Sequence, residues 1–109
     1  MSRYYEMYVE IKDFRPRQSA AIRAAAGAEW DFVDWFERQN TLSASGRDSL
    51  VGGESDQEFS RRLAQAIWKT NGAFCAVSVS ATYLENLPYE TYEFDQDDYR
   101  AWAGATRRR

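Results

Sequence analysis

Near the start of the chain, apolar and polar side chains alternate, with Tyr5, Met7, Val9 and Ile11 separated by Glu6, Tyr8 and Glu10. A period of two sends successive side chains to opposite faces, so residues 5–11 are predicted as a strand with one buried side. Pro16 suits the first turn of a helix, where its missing N–H is no loss, and the alanine-rich run 20–28 has strong helix propensity. Ile22, Ala25 and Ala26 give that helix a face of mostly small residues that can approach a sheet closely, and Gly27 is expected to weaken or end it. Residues 30–36 satisfy neither period, because Trp30, Phe32, Trp35 and Phe36 fall irregularly; the expectation is an irregular connection or a single helical turn. Residues 41–44 and 49–51 flank the polar link Ser45-Gly46-Arg47-Asp48, a pattern that predicts a short hairpin of two modest strands.

After the break at Gly52-Gly53, Ser55-Asp56-Gln57-Glu58 has the form of a capping box and opens a second helix. Phe59, Leu63, Ala66, Ile67 and Thr70 mark one face of it, and Asn71-Gly72 supplies a left-handed stop. Cys75, Val77, Val79 and Ala81 alternate with Ala76, Ser78, Ser80 and Thr82, which predicts a central strand because its outward side is uncharged. A turn at Asn86-Leu87-Pro88 leads to a last strand, residues 89–94, with Glu90, Tyr92 and Phe94 on one side and Tyr89, Thr91 and Glu93 on the other. Asp95 is placed to cap a short helix carrying Tyr99 and Trp102 on one side. The order predicts an α+β fold, a ferredoxin-like two-layer sandwich of β-α-β-β-α-β type with an extra C-terminal strand and short helix. One domain over residues 1–104 and a disordered basic tail over 105–109 complete the expected organisation.

Composition narrows the chemistry. A chain of 109 residues, 44% hydrophobic, supports one core rather than two. Histidine is absent and Cys75 is the sole cysteine, so catalytic triads, Cys–His dyads, zinc clusters and intrachain disulfides lack their parts. Cys75 is expected to be a small core residue. Gly52-Gly53 lacks the Gly-Lys-Ser/Thr ending of a phosphate loop. The expectation is a protein without enzymatic activity or cofactor. No apolar run reaches the roughly 18 residues that a membrane helix needs, and the first residues lack the apolar core of a signal peptide; a cytoplasmic location without membrane contact is expected. Asp31, Asp34 and Glu37 could share a helix face and hold a cation or act as a glycosidase-like pair in a pocket with Trp30 and Trp35, although solvated acids beside buried aromatics are the ordinary amphipathic pattern. Arg61, Arg62 and Lys69 could contact phosphate or a carboxylate, but are expected simply to face solvent on the second helix.

The formal charge of -3 conceals a segregation. Residues 70–99 contain no lysine or arginine and hold Glu85, Glu90, Glu93, Asp95, Asp97 and Asp98, whereas the last ten residues add Arg100, Arg107, Arg108 and Arg109 without an acid. Tyr89, Tyr92 and their neighbours interleave aromatic rings with these carboxylates. Rings supply contact area at low entropic cost, and carboxylates can stand where phosphates would lie on a basic surface. The candidate partner-binding residues are therefore Glu85, Tyr89, Glu90, Tyr92, Glu93, Asp95, Asp97 and Asp98. The expected partner is a basic nucleic-acid-binding protein or complex, not nucleic acid itself. Two alternatives stand beside it: an edge strand whose charges only guard against aggregation, and a homodimer pairing through a sheet face or edge.

The stretches Asn71-Gly72-Ala73-Phe74-Cys75 and Ala81-Thr82-Tyr83-Leu84-Glu85-Asn86-Leu87-Pro88-Tyr89-Glu90-Thr91-Tyr92 resemble small uncharacterised proteins carried by phages, plasmids and integrative elements of proteobacteria. That resemblance implies no catalytic residues. It implies a place among inhibitors of the anti-CRISPR and anti-restriction type, with a CRISPR effector among the targets expected.

Overall fold

The computed structural model describes residues 3–50, 52–84 and 89–107, Thr106 and Arg107 by backbone only. The elements are β1 (Arg3–Lys12), a single 3-10 turn (Pro16–Gln18), α1 (Ser19–Glu29), β2 (Val33–Arg38), β3 (Thr41–Leu50), α2 (Asp56–Asn71), β4 (Ala76–Tyr83), β5 (Tyr89–Phe94) and α3 (Gln96–Arg107). The strands form one five-stranded sheet in the order β2-β3-β1-β4-β5, and every neighbouring pair is antiparallel. The fold is α+β, as expected, with the extra C-terminal strand and helix in place. Its five-strand order differs from a standard ferredoxin-like sheet, because β5 lies outside β4. No helix among the described residues is long and apolar enough to cross a membrane.

β1 organises the core because it pairs on both sides. Its alternate residues Tyr5, Met7, Val9 and Ile11 are buried, as are Val77, Val79 and Ala81 of β4 and Leu42 and Ala44 of β3. These meet Ile22 and Ala26 of α1 and Phe59, Leu63, Ala64, Ile67 and Trp68 of α2. Each buried Val, Leu, Ile, Met or Phe among them contributes roughly 1.5–3 kcal/mol by leaving water. The capping box opens α2 as expected: Ser55 Oγ accepts from the Glu58 N–H at 3.0 Å, and Glu58 accepts from the Ser55 N–H at 2.9 Å. Gly72 ends the helix at φ 78°, a left-handed conformation that favours glycine. The buried stripe runs through Ala64 and Trp68 rather than the expected Ala66 and Thr70, because the 16-residue helix also turns that side toward β5 and α3.

Three local expectations are corrected. Residues 33–38 form the strand β2, not an irregular link. A register shift between Val33 and Phe36, with Asp34 at φ 56°, breaks the two-residue alternation and so hides the strand from periodicity. Residues 41–50 form one continuous strand, not a hairpin; the reversal lies just upstream at residues 39–40, where Gln39 has φ 55°. Gly46 is therefore a mid-strand glycine. A Cβ there would overlap the Asp31 carbonyl oxygen, and the crossing chain is held by Trp30 Nε1 donating to the Gly46 carbonyl at 2.9 Å. Gly27 does not end α1, which continues to Glu29 with open space around that glycine. At the other end of the chain α3 is helical through Arg107, including residues 105–107 of the expected tail.

Two glycine substitutions should move stability in opposite directions. Gly46→Ala is expected to destabilise by roughly 1–3 kcal/mol through overpacking, whereas Gly27→Ala should stabilise by about 0.5–1 kcal/mol through helix propensity. Urea denaturation midpoints check both signs.

Candidate interaction face

All the buried strand residues point toward the helices, so the residues between them form a bare face, ordered by strand register. One row across it reads Phe36, Ser43, Glu10, Ser78 and Glu93; the next reads Val33, Ser45, Tyr8, Ser80 and Thr91. A third row runs through Arg47, Glu6, Thr82 and Tyr89. Among the described residues, the large apolar side chains that remain exposed are Tyr4, Tyr8, Val33, Phe36 and Tyr89, and register places every one on this face. Small residues separate them: β4 contributes only Ala76, Ser78, Ser80 and Thr82. Two shallow depressions follow. One, of about 400 Å³, lies between Tyr8 and Tyr89 with Glu6, Ser45, Ser80 and Thr82. The other, of about 270 Å³, is lined by Glu10, Lys12, Phe74, Ser78, Glu93 and Asp95 among others.

The residues proposed from sequence do not share one surface. Tyr89 and Glu93 lie on the bare face, exposed. Glu90 and Tyr92 pair with Ala81 and Val79, so both lie on the helix side. Tyr92 is partly buried there, and its hydroxyl is pushed up to about 12 by burial and then by the charge and hydrogen bond of Asp56. Tyr92 is thus tied into the fold. Asp95, Asp97 and Asp98 are exposed around the start of α3, at the corner beside Glu93. Asp95 and Asp98 form a reciprocal cap: the Asp98 N–H donates to Asp95 Oδ1 and the Asp95 N–H to Asp98 Oδ2, each at 3.0 Å. The Asp98 backbone N–H holds the Asp95 carboxyl below the ordinary carboxylate range. Glu85 lies outside the described residues.

The structure adds residues that sequence reading left as ordinary strand polarity. Glu6, Tyr8 and Glu10 of β1 stand on the bare face two strands away from Tyr89 and Glu93, with only the small side chains of β4 between. The available signal was the repetition of tyrosine–glutamate alternation in two separate strands, and pairing both with β4 is what joins them. Cations share this side: register places Arg38 and Lys12 in one row with Thr41 and Ala76, and Arg47 beside Glu6. Glu6 meets Arg47 at 3.4 Å and Asp97 meets Arg100 at 3.8 Å, both exposed, while Glu10, Glu93, Asp95 and Asp98 make no ion pair among the described residues.

Elsewhere the charged groups serve the fold. Arg62 bonds Glu54 at 2.9 Å and Glu29, and lies over the Phe59 ring, so it clasps the helix layer rather than simply facing solvent. Glu37 accepts from Ser19 Oγ at 2.6 Å and pairs with Arg23 at 3.2 Å. Asp31 and Asp34 are exposed near or on a bulged strand, so the three carboxylates do not share a helix face. No group of three or more possible metal ligands occurs among the described residues. Cys75 is fully buried, and burial pushes its thiol up to about 12. Compared with known proteins, the chain matches no family model, no curated protein and no solved structure.

Two measurements follow. The native thiol should resist a disulfide exchange reagent at about pH 8 and react only on unfolding, because the thiolate is the attacking species; rapid labelling of folded protein would contradict the buried position. The folded state holds the Tyr92 proton more tightly than the unfolded chain, whose tyrosines ionise near 10. Stability is therefore intact below about pH 10 and falls as pH rises toward 12, Tyr5 adding an effect of the same sign. Tyr92→Phe should flatten that fall in denaturation midpoints.

Proposed function

We propose that this chain is a non-catalytic protein-binding domain. It docks the β1–β4–β5 side of its bare sheet face, together with the first turn of α3, on a basic surface of a nucleic-acid-handling protein. The observation that carries this reading is the juxtaposition of Glu10, Glu93 and Asp95, without ion pairs among the described residues, with the exposed rings of Tyr8 and Tyr89 on the same face. Carboxylates left in water at the rim of an aromatic patch lose little on meeting arginines or lysines, and they speed the encounter. The same charges oppose the phosphates of a nucleic acid. An inhibitor carried by a mobile element in the cytoplasm, acting on a CRISPR effector or a similar complex, is the setting this chemistry suits. In the same reading β1 to β4, with α1 and α2, form a ferredoxin-like core to which β5 and α3 are added, so half of the docking surface belongs to the addition.

The test is a capture experiment from nuclease-treated bacterial lysate, comparing wild type with charge reversals. Glu10→Lys and Glu93→Lys should each weaken retention of basic partners about tenfold, about 1.4 kcal/mol, while Glu90→Lys on the helix side should leave it nearly unchanged. Retention should also fall steeply with added salt. An affinity indifferent to ionic strength, or a loss as large with Glu90→Lys, would overturn the reading.

The exposed apolar residues of the same face favour a second reading, a homodimer closed through the bare sheet. Light scattering at high protein concentration decides: a stable dimer made monomeric by Tyr8→Lys would establish it.

A further inference from the structure

β4 carries only small side chains on the bare face, Ala76, Ser78, Ser80 and Thr82, whereas β1 carries the long Glu6, Tyr8 and Glu10 and β5 the long Tyr89 and Glu93 on either side of the short Thr91, whose hydroxyl meets that of Ser80 at 3.1 Å. A groove therefore runs along β4, with Glu6, Tyr8 and Glu10 as one wall and Tyr89, Thr91 and Glu93 as the other. The two depressions described above are its two ends. With strands about 4.8 Å apart, the walls stand about 10 Å apart backbone to backbone, and along each wall the side chains recur about every 7 Å. Glu10 and Glu93 face each other across Ser78. Lys12 lines that end of the groove, the one cation there among the described residues, beside Asp95, and Glu6 at the other end is engaged by Arg47.

Resting on the reading of a basic partner, we infer that this groove holds an extended segment of the partner with arginine or lysine at alternate positions, rather than the flat surface of a folded domain. Three features fit that occupant. An extended chain presents same-side residues at the roughly 7 Å repeat of the walls. Long side chains carrying carboxylates on both sides of Ser78 can close on one guanidinium from two directions, as a charge-assisted pair. The rings of Tyr8 and Tyr89, exposed on the same groove, offer faces to the next cation along. The serine and threonine floor leaves room for aliphatic stems and does not demand burial of a polar backbone. A single-stranded nucleic acid could stack on the same rings, but its phosphates would meet Glu10 and Glu93.

The experiment uses the full chain and a short synthetic peptide alternating arginine and serine, followed by NMR through the backbone amides. Shifts should concentrate on Ser78, Ser80, Thr82 and the wall residues, and a peptide alternating glutamate and serine should produce none. Ser78→Phe fills the floor without changing charge and suits a strand position; it should weaken the peptide at least tenfold with an unaltered melting temperature, as should Glu93→Lys. If Ser78→Phe binds like wild type while Glu10→Lys and Glu93→Lys weaken binding, the groove is refuted and the basic-partner reading survives. If none of the three matters, both fall. Equal shifts produced by oligothymidylate, or by raising the protein concentration alone, would assign the groove to nucleic acid or to a second copy and overturn the inference.

Discussion

Burial of Met7, Val9 and Ile11 beneath α1 and α2, together with Val77 and Val79 of the neighbouring strand, commits every intervening residue to the opposite side of the sheet. A one-residue slip of β1 would expose the core set and bury Glu6 and Glu10, an outcome too unfavourable to compete. The bare face is thus as firmly specified as the core. The helices cover the other side, so this face is the one on which the exposed tyrosines are displayed.

The corner where acids gather is positioned by aromatic packing rather than by charge. Trp68 of α2 meets Tyr99 at 5.3 Å between ring centroids and Trp102 at 5.8 Å, and Phe94 and Phe74 each at 6.4 Å. Its indole N–H is satisfied by the Cys75 carbonyl at 2.8 Å. Such a cluster pins α3 to the helix layer and sets its first turn directly after β5. Asp95 and Asp98 then cap the helix while still facing solvent, so one pair of residues serves both the fold and the field around it.

A division among the carboxylates follows. Glu29, Glu54 and Glu37 are held by Arg62, Arg23 and Ser19 in the helix layer and at the β2 side. Glu10 and Glu93 have no such partners among the described residues, although Arg47, Arg38 and Lys12 stand on the same face. Exposed pairs contribute little to stability in any case. Small serines between long side chains turn a charged sheet into a shaped one.

The residues of β1, α2, β4 and β5 declared their own structure, because strict alternation, a capping box and a left-handed glycine stop are local consequences of backbone geometry. The absence of histidine and the isolation of Cys75 were equally plain. β2 was not legible, since a bulge destroys the very period by which a strand is read. Gly46 looked like a turn because the reason for a glycine there, a crossing backbone at Asp31, is distant in sequence. The acidic segment was visible as composition, but composition carries no side. Only pairing with β4 turned Glu90 and Tyr92 inward, turned Tyr89 and Glu93 outward, and set Tyr8 and Glu10 opposite them. Which residues of different strands share a face is decided by register, and register is a property of the assembled sheet.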